Sequence, residues 1–261
     1  TWLALASNVA AALRPLPWLV TVDWWWIIAG FVLFISPPGR VGIAVLGARL
    51  LLSRLRPGTY RRGGSEHLRV WFAERLAEAS RVETLLGTPW LACYARALGN
   101  TIGTGVDLHA MPPVSGMLTL GDRSAIEPEV DLAGHWVDGD LFHIGRIAIG
   151  NDAIVGARTG LLPGASVGDT AQIAPGSSVL GAVGNGQYWA GSPAVMSGRA
   201  RHRGPRRRPH RAPLWGAVFG LTPALLGALP LLADFTGLAV LAWGVRESRT
   251  LLDAIVPAVS W

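Results

Sequence analysis

The sequence predicts a mainly β fold: a solenoid of short stacked coils, flanked by apolar helical segments. Three observations predict it. From Ile149 an aliphatic residue recurs at every sixth position, Val155, Leu161, Val167, Ile173 and Val179, a spacing that belongs to neither a helix nor a simple strand. Four residues after each of the first five stands a small one: Ala153, Thr159, Ala165, Ala171 and Ser177. One inward aliphatic side chain per short strand, followed by a corner that only small residues or glycine fit, describes a prism-like coil whose copies stack into one core. The third observation is composition. The 33 glycines and 18 prolines suit turn-dense repeats, while a chain half hydrophobic and only 15% charged points to a membrane.

The elements follow in order. Residues 1–56 carry "PLPWLVTVDWWWIIAGFVLFISPP" (15–38), charged only at Asp23, and "VGIAVLGARLLLSRL" (41–55) after a Pro-Pro-Gly turn, so a hairpin of two transmembrane spans is expected. Trp24, Trp25 and Trp26 suit an interfacial belt that would set Asp23 among lipid headgroups. Residues 57–99 form a basic hinge and a helix with Ser65 as N-cap. Its Leu68, Trp71, Phe72, Leu76 and Ala79 recur at helical spacing, so it either lies in the membrane interface or packs on the solenoid. Residues 100–200 hold the solenoid, whose earlier series is Ile102, Leu108, Val114, Leu120, Ile126 and Leu132. The next aliphatic position, Ile149, comes 17 residues after Leu132, one out of register. An Arg-rich hinge occupies 201–213. In 214–261, "LWGAVFGLTPALLGALPLLA" (214–233) is uncharged over 20 residues and long enough to span a bilayer, and Phe235 to Val245 could begin a return pass.

The pI near 10.8 comes from two clusters. Six arginines fall between 49 and 69 and seven between 199 and 211, whereas residues 85–198 hold nine acidic side chains against four arginines. The domain between the hinges has no basic surface for nucleic acid, so no nucleic-acid partner is expected and the arginines are assigned to anionic lipid headgroups. Arginine gathers on the cytoplasmic side of spanning helices. A multi-pass protein of the cell membrane with its solenoid in the cytoplasm is expected, without a cleavable signal peptide. The single cysteine, Cys93, is expected to be a small buried residue, which excludes an internal disulfide.

Residues 144–199, with "IAIGNDAIVGARTGLLPGASVGDTAQIAPGSSV" and "AGSPA", resemble the hexapeptide-repeat acyltransferases, whose fold is a left-handed parallel β-helix of triangular coils. A narrower likeness runs along most of the chain. "RPGTYRRGGSEHLRVW", "GTPWLACYARALG" and "PPVSGMLTLGDRSAIEPEVDLAGHWVDGDLFHIGRIAIG" resemble the membrane-bound C-terminal region of poly-ε-lysine-synthetase-type non-ribosomal peptide synthetases. That resemblance implies an acyltransferase-like domain, flanked by transmembrane helices, within a longer parent chain. It further implies a pantetheine thioester, on a carrier-protein domain or coenzyme A, as acyl donor. The implied partners are that carrier domain, the lipid bilayer, and sister β-helix domains packed as an intramolecular pseudo-trimer or homo-oligomer. Gly191, Ser192, Pro193 and Ala194 match the acyltransferases' terminal loop and are the implied contacts to the donor.

The register break, "AGHWVDGDLFHIGR", is where catalytic groups are expected, because a loop leaving a rigid solenoid is a natural mount for them. Acyl transfer to an amine needs a base, and neutral imidazole serves near pH 7. His135, in the Gly-His pair that matches the acyltransferases, is the first candidate and His143 the second. Asp138, with Asp131 and Asp140, lies close enough in sequence to orient an imidazole. His109 could reach the site from a neighbouring coil, while His67, His202 and His210 are expected in solvent. No metal is expected, since the spacing of His135 and His143 does not match the ligand pattern of the zinc carbonic anhydrases that share the fold. Nor is there a phosphate loop, for the chain has no lysine. Two other classes stay open: a non-catalytic scaffold that holds the synthetase at the membrane, and part of a polymer export path.

Overall fold

The computed structural model describes residues 21–201, together with Ser7, Asn8, Ala11 and scattered positions between 214 and 237. Most of the hinge expected over 201–213, of the span at 214–233 and of the return pass at 235–245 lies outside the described residues, as do His202 and His210. Contacts divide the chain into Thr1–Arg40 with Gly220–Trp261, and Val41–Phe219.

Within the first unit, α1 (Trp24–Phe34) exposes Trp24, Trp25 and Trp26. Helix α2 (Pro37–Leu52) begins in the Pro-Pro-Gly stretch read as a turn. The reason is a cap: Ser36 Oγ accepts the Gly39 N–H at 3.2 Å, and Pro37 takes the first helical position, where its missing N–H costs nothing. No described helix is alone long and apolar enough to cross a membrane, and α1 with α2 qualifies only as a bent pair. The remainder of α2 joins the second unit. There it buries Ala44, Ala48 and Leu52, and Gly47 lies so close to Leu76 that a Cβ would collide with it.

After strand β1 (Gly58–Arg61), α3 (Ser65–Ala79) has Gly64, not Ser65, as its N-cap; the Ser65 hydroxyl donates to Glu66 instead. The side of α3 that packs inward is Val70, Ala73 and Ala77. Leu68, Trp71 and Phe72, members of the stripe read from the sequence, are exposed, so this helix is apolar on two sides. A 3-10 turn (Val82–Leu85) leads to α4 (Trp90–Leu98), which ends at Gly99 in the left-handed conformation, φ 102°. Cys93 is exposed on α4, contrary to expectation, because the buried face of this helix is Leu91, Tyr94, Ala95 and Leu98. Buried Asn100 joins helix to solenoid: its amide N–H₂ donates to the carbonyls of Ala95 and Pro113, and its Oδ1 accepts from Leu118 N–H at 3.0 Å.

The solenoid is a parallel β-helix built on the hexapeptide repeat. One face stacks β2 (Thr101–Ile102), β4 (Leu118–Leu120), β8 (Ile147–Ile149), β11 (Ser166–Val167) and β14 (Ala182–Val183). A second stacks β3 (Asp107–Leu108), β5 (Ala125–Ile126), β9 (Ile154–Val155), β12 (Gln172–Ile173) and β15 (Gln187–Ala190), closed by antiparallel β16 (Val195–Arg199). The third pairs β10 (Gly160–Leu161) with β13 (Ser178–Val179), and Asp131 bridges to Gly160. Eleven of the twelve aliphatic positions are buried, and Val114 is partly so. The small residues Ala153, Thr159, Ala165, Ala171 and Ser177 are buried too, as the corner argument requires.

Coils repeat at 18 residues, as in Thr101↔Thr119 and Ala148↔Ser166, except that the last is short, with Ser166↔Ala182 across 16, and that Thr119 pairs with Ala148 across 29. The extra eleven are the excursion at the register break. Substituting Gly150 by Ala should destabilise the solenoid by about 1–3 kcal/mol, since overpacked sites cost that much. The new Cβ would meet Asp169 N at 2.6 Å and the Gly168 carbonyl carbon at 2.8 Å. Gly181→Ala, where nothing lies within 4 Å, should stay within about 0.5 kcal/mol of the parent in the same denaturant titration.

Candidate active site

The chain leaves the coil at Gly134, φ 69°, and returns at Gly145, whose N–H donates to the Gly134 carbonyl at 2.9 Å. Because the two ends meet, the excursion opens out from the solenoid without parting the coils on either side. Between them β6 (His135–Asp138) and β7 (Leu141–Ile144) form an antiparallel hairpin, and β1 adds to β7 as a third strand. The basic hinge meets the acidic hairpin tip: the Arg62 N–H donates to the Asp140 carbonyl and its guanidinium to that of Gly139.

Side chains alternate along a strand, so register decides what each residue faces. His135 stands opposite Ile144, on the side of the ribbon that carries buried Phe142. His143 stands opposite Trp136 and Thr59, on the other side, and its Nδ1 lies 2.9 Å from the Thr59 hydroxyl. The two candidate histidines therefore point to opposite faces and do not share a site. Asp138 is at the exposed hairpin tip, three residues along the strand from His135, or roughly 10 Å. It does not orient the imidazole.

That place is taken by Glu74 of α3, whose carboxylate oxygen lies 3.6 Å from His135 Nδ1. The separation is longer than a hydrogen bond and short enough for an ion pair. A proton on Nδ1 facing the carboxylate leaves Nε2 as the acceptor nitrogen. The His135 ring tilts against Phe142, with centroids 5.3 Å apart, and His67 stacks on Phe142 at 4.5 Å. His67 is thus half-buried rather than solvated, and its Nδ1 accepts the Gly63 N–H at 2.9 Å. Phe142, 1% exposed, is the plate that fixes both rings. Burial holds the Glu74 carboxyl above the usual carboxylate range, with His135 and Arg75 opposing the rise.

His109 lies elsewhere. Its Nε2 is 3.3 Å from Asp107 Oδ1 at the first coil, beside Arg96 and the start of α4. Gly191, Ser192, Pro193 and Ala194 make the turn between β15 and β16. They are hydrogen-bonded to β13 through Ser178 N–H to the Gly191 carbonyl and Ala194 N–H to the Ser178 carbonyl. Asp131, Gly160, Ser178 and this loop form successive steps along the third face, three spacings of ~4.8 Å, or about 14 Å from the base of the excursion.

No family model matches the chain. Over 154 residues, 57% of this chain, it is 32% identical to delta-poly-L-ornithine synthetase of Acinetobacter baumannii (strain AB307-0294), of which it spans 12%. Over 108 residues it is 29% identical to YvoF of Bacillus subtilis (strain 168), a protein with a provisional acetyltransferase designation, and spans 62% of it. Among solved structures it is similar to a maltose O-acetyltransferase from Clostridium difficile 630, at 14% identity and TM-score 0.44, covering 60% of this chain and 98% of that one. It is also similar to a serine acetyltransferase from Brucella abortus strain S19 in complex with coenzyme A, at 21% identity and TM-score 0.38, covering 76% and 68%. Superpositions this loose carry no residue roles.

Glu74 gives a pH test. The folded protein holds its proton more tightly than the unfolded chain does, so the stability from this group is present at low pH and lost as pH rises through the raised value. Glu74→Gln does not suffer that loss. The melting temperature of the variant minus that of the parent should therefore be larger at pH 8 than at pH 4; a difference independent of pH would mean that Glu74 is not held above its ordinary range.

Proposed function

We propose that the chain is the acyl-transfer unit of a larger membrane-bound synthetase, moving an aminoacyl or acyl group from a pantetheine thioester to an amine. The observation that carries this reading is the His135–Glu74 pair on the one excursion that interrupts the coils. The likeness to the poly-ornithine synthetase and to the provisional acetyltransferase supports the reaction class.

In this reading Nε2 of His135 takes the proton of the amine as its nitrogen attacks the thioester carbonyl. The C–N bond forms, the C–S bond breaks, and the proton passes to the departing thiolate, so amide and free thiol leave with no other reactant. Glu74 fixes the Nδ1–H tautomer and stabilises the imidazolium while it carries the proton. The pantetheine arm lies along the third face, from the Gly191–Ala194 loop toward the excursion. This direction is supported by the small outward residues Gly160 and Ser178 between the two ends. The donor is a carrier domain of the parent chain or coenzyme A, and sister β-helix domains pack beside this one.

The exposed apolar residues Leu46 and Leu50 of α2 and Leu68, Trp71 and Phe72 of α3 support membrane attachment, which on this reading is on the cytoplasmic side. The same residues favour the second reading, a scaffold that holds the synthetase at the bilayer without catalysing a step. Transfer from an aminoacyl-pantetheine to an amine separates the two. His135→Ala should slow it roughly 10²- to 10⁴-fold, as loss of a general base does, with melting unchanged. His143→Ala, on the opposite face of the ribbon, should cost far less. An undiminished rate in His135→Ala would leave the scaffold.

A further inference from the structure

Beside Glu74 a cleft of about 360 Å³ opens between α3, the 3-10 turn, α4 and the third face of the solenoid. Its size is within the range of small-molecule sites. Four carboxylates line it: Glu74, Glu78, Glu83 and Asp131, from three separate segments of the chain. The one cation in the lining, Arg75, is paired with Glu78 at 2.5 Å, so the carboxylates outnumber it four to one. The floor is apolar, with Val82, Val130 and Leu132 all buried.

An independent observation points to a ligand. Tyr94, only 3% exposed, lines the same cleft, and its hydroxyl is buried with no hydrogen-bond partner. A buried hydroxyl left unpaired is destabilising, so a native structure keeps one for a reason. Burial first, and the charge of Glu83 second, push the Tyr94 pKa up to about 12. The carboxylates are spread along the cleft rather than gathered on a point. Among the described residues no three His, Cys, Asp or Glu side chains group as a metal ion would need.

An elongated ligand with an apolar body and a cationic head matches an apolar floor, an acidic rim and an acceptor hydroxyl. We infer that this cleft binds an alkyldiamine, with one ammonium donating to Glu83 and Tyr94 Oη, the alkyl chain on Val82, Val130 and Leu132, and the second nitrogen toward Asp131 and Glu74. Resting on the acyl-transfer reading, this ligand is the amine acceptor. Glu74 links the two places, since it lines the cleft and also faces His135. The reacting nitrogen reaches the base from the Glu74 end.

Binding can be read without any acyl donor, which keeps this inference separate from the reaction. In calorimetric titration of the full chain, 1,4-diaminobutane should bind with one site per chain, and 1,4-butanediol, its neutral counterpart, should not. Glu83→Lys, a change at an exposed position, should weaken diamine binding tenfold or more, and Tyr94→Phe, which keeps the ring and removes the acceptor, should weaken it measurably. Equal binding of diol and diamine, no binding of either, diamine binding indifferent to Glu83→Lys, or displacement of the diamine by millimolar Mg²⁺ would each overturn the inference. Diamine binding as described, together with full transfer activity in His135→Ala, would uphold the cleft while removing the proposed base.

Discussion

The structure depends on a ladder of backbone donors and side-chain acceptors at one corner of the solenoid. Asp122 Oδ1 accepts the Thr104 N–H, Asn151 Oδ1 that of Asp122, Asp169 Oδ1 that of Asn151, and Asn185 Oδ1 that of Asp169. Each rung is a Gly-Asp or Gly-Asn pair above the Gly-Thr pair at 103–104, and at Gly103, Gly121, Gly150 and Gly168 a Cβ would strike the next coil. Corner N–H groups have no strand partner, and these oxygens supply one from coil to coil. The carboxylate of Asp122 is held below the ordinary carboxylate range by the backbone and hydroxyl donors of Thr104, as expected of an acceptor that must stay ionised. Because the rung from Asp122 to Asn151 spans the enlarged coil, the excursion is tolerated only in a form that leaves this corner intact. That is why it leaves and returns through a pinched pair of glycines on another corner.

The period was legible because a coil buries one side chain in six, with no regard to what lies far away in the chain. His135 was legible for a related reason: a break in so regular a series marks the one place where the chain does something other than stack. What could not be read was the face each side chain takes. The even spacing of His135 and His143 leaves both on one side of an uninterrupted strand, but the two-residue turn at Gly139 and Asp140 reverses the chain and sends them apart. Glu74 stands 61 residues upstream of His135, and Tyr94 belongs to a helix with an apolar pattern of its own; no local spacing connects them. A signal for the acid was present all the same. His67 and Glu74 sit seven residues apart, two turns of α3, and so share the helix edge that meets the ribbon.

The helix itself shows the limit of reading amphipathicity from one stripe. Trp71, Phe72 and Leu68 dominate any hydrophobic pattern because they are large, yet the solenoid is flat and close, and the side of α3 that can approach it is the side with Ala73 and Ala77. Small residues win the interface where backbones must come near, as Gly47 of α2 also shows. The large ones are left for a different surface. In the same way α2 reads as the second limb of a membrane hairpin, yet its alanines are buried and only its outward leucines, Leu46 and Leu50, are left exposed.

The final hairpin has a consequence for how such a molecule can meet its own kind. A parallel stack presents unpaired amides and carbonyls at its last coil, an invitation to further strands. Here β16 runs antiparallel along β15, so the growing edge of that sheet is met by a strand of the wrong direction. At the opposite end the guanidinium of Arg96 occupies the carbonyls of Ile102 and Gly103. A solenoid plugged in this manner resists fibre-like addition along its axis, and neighbours of the same architecture have its flat sides left to meet.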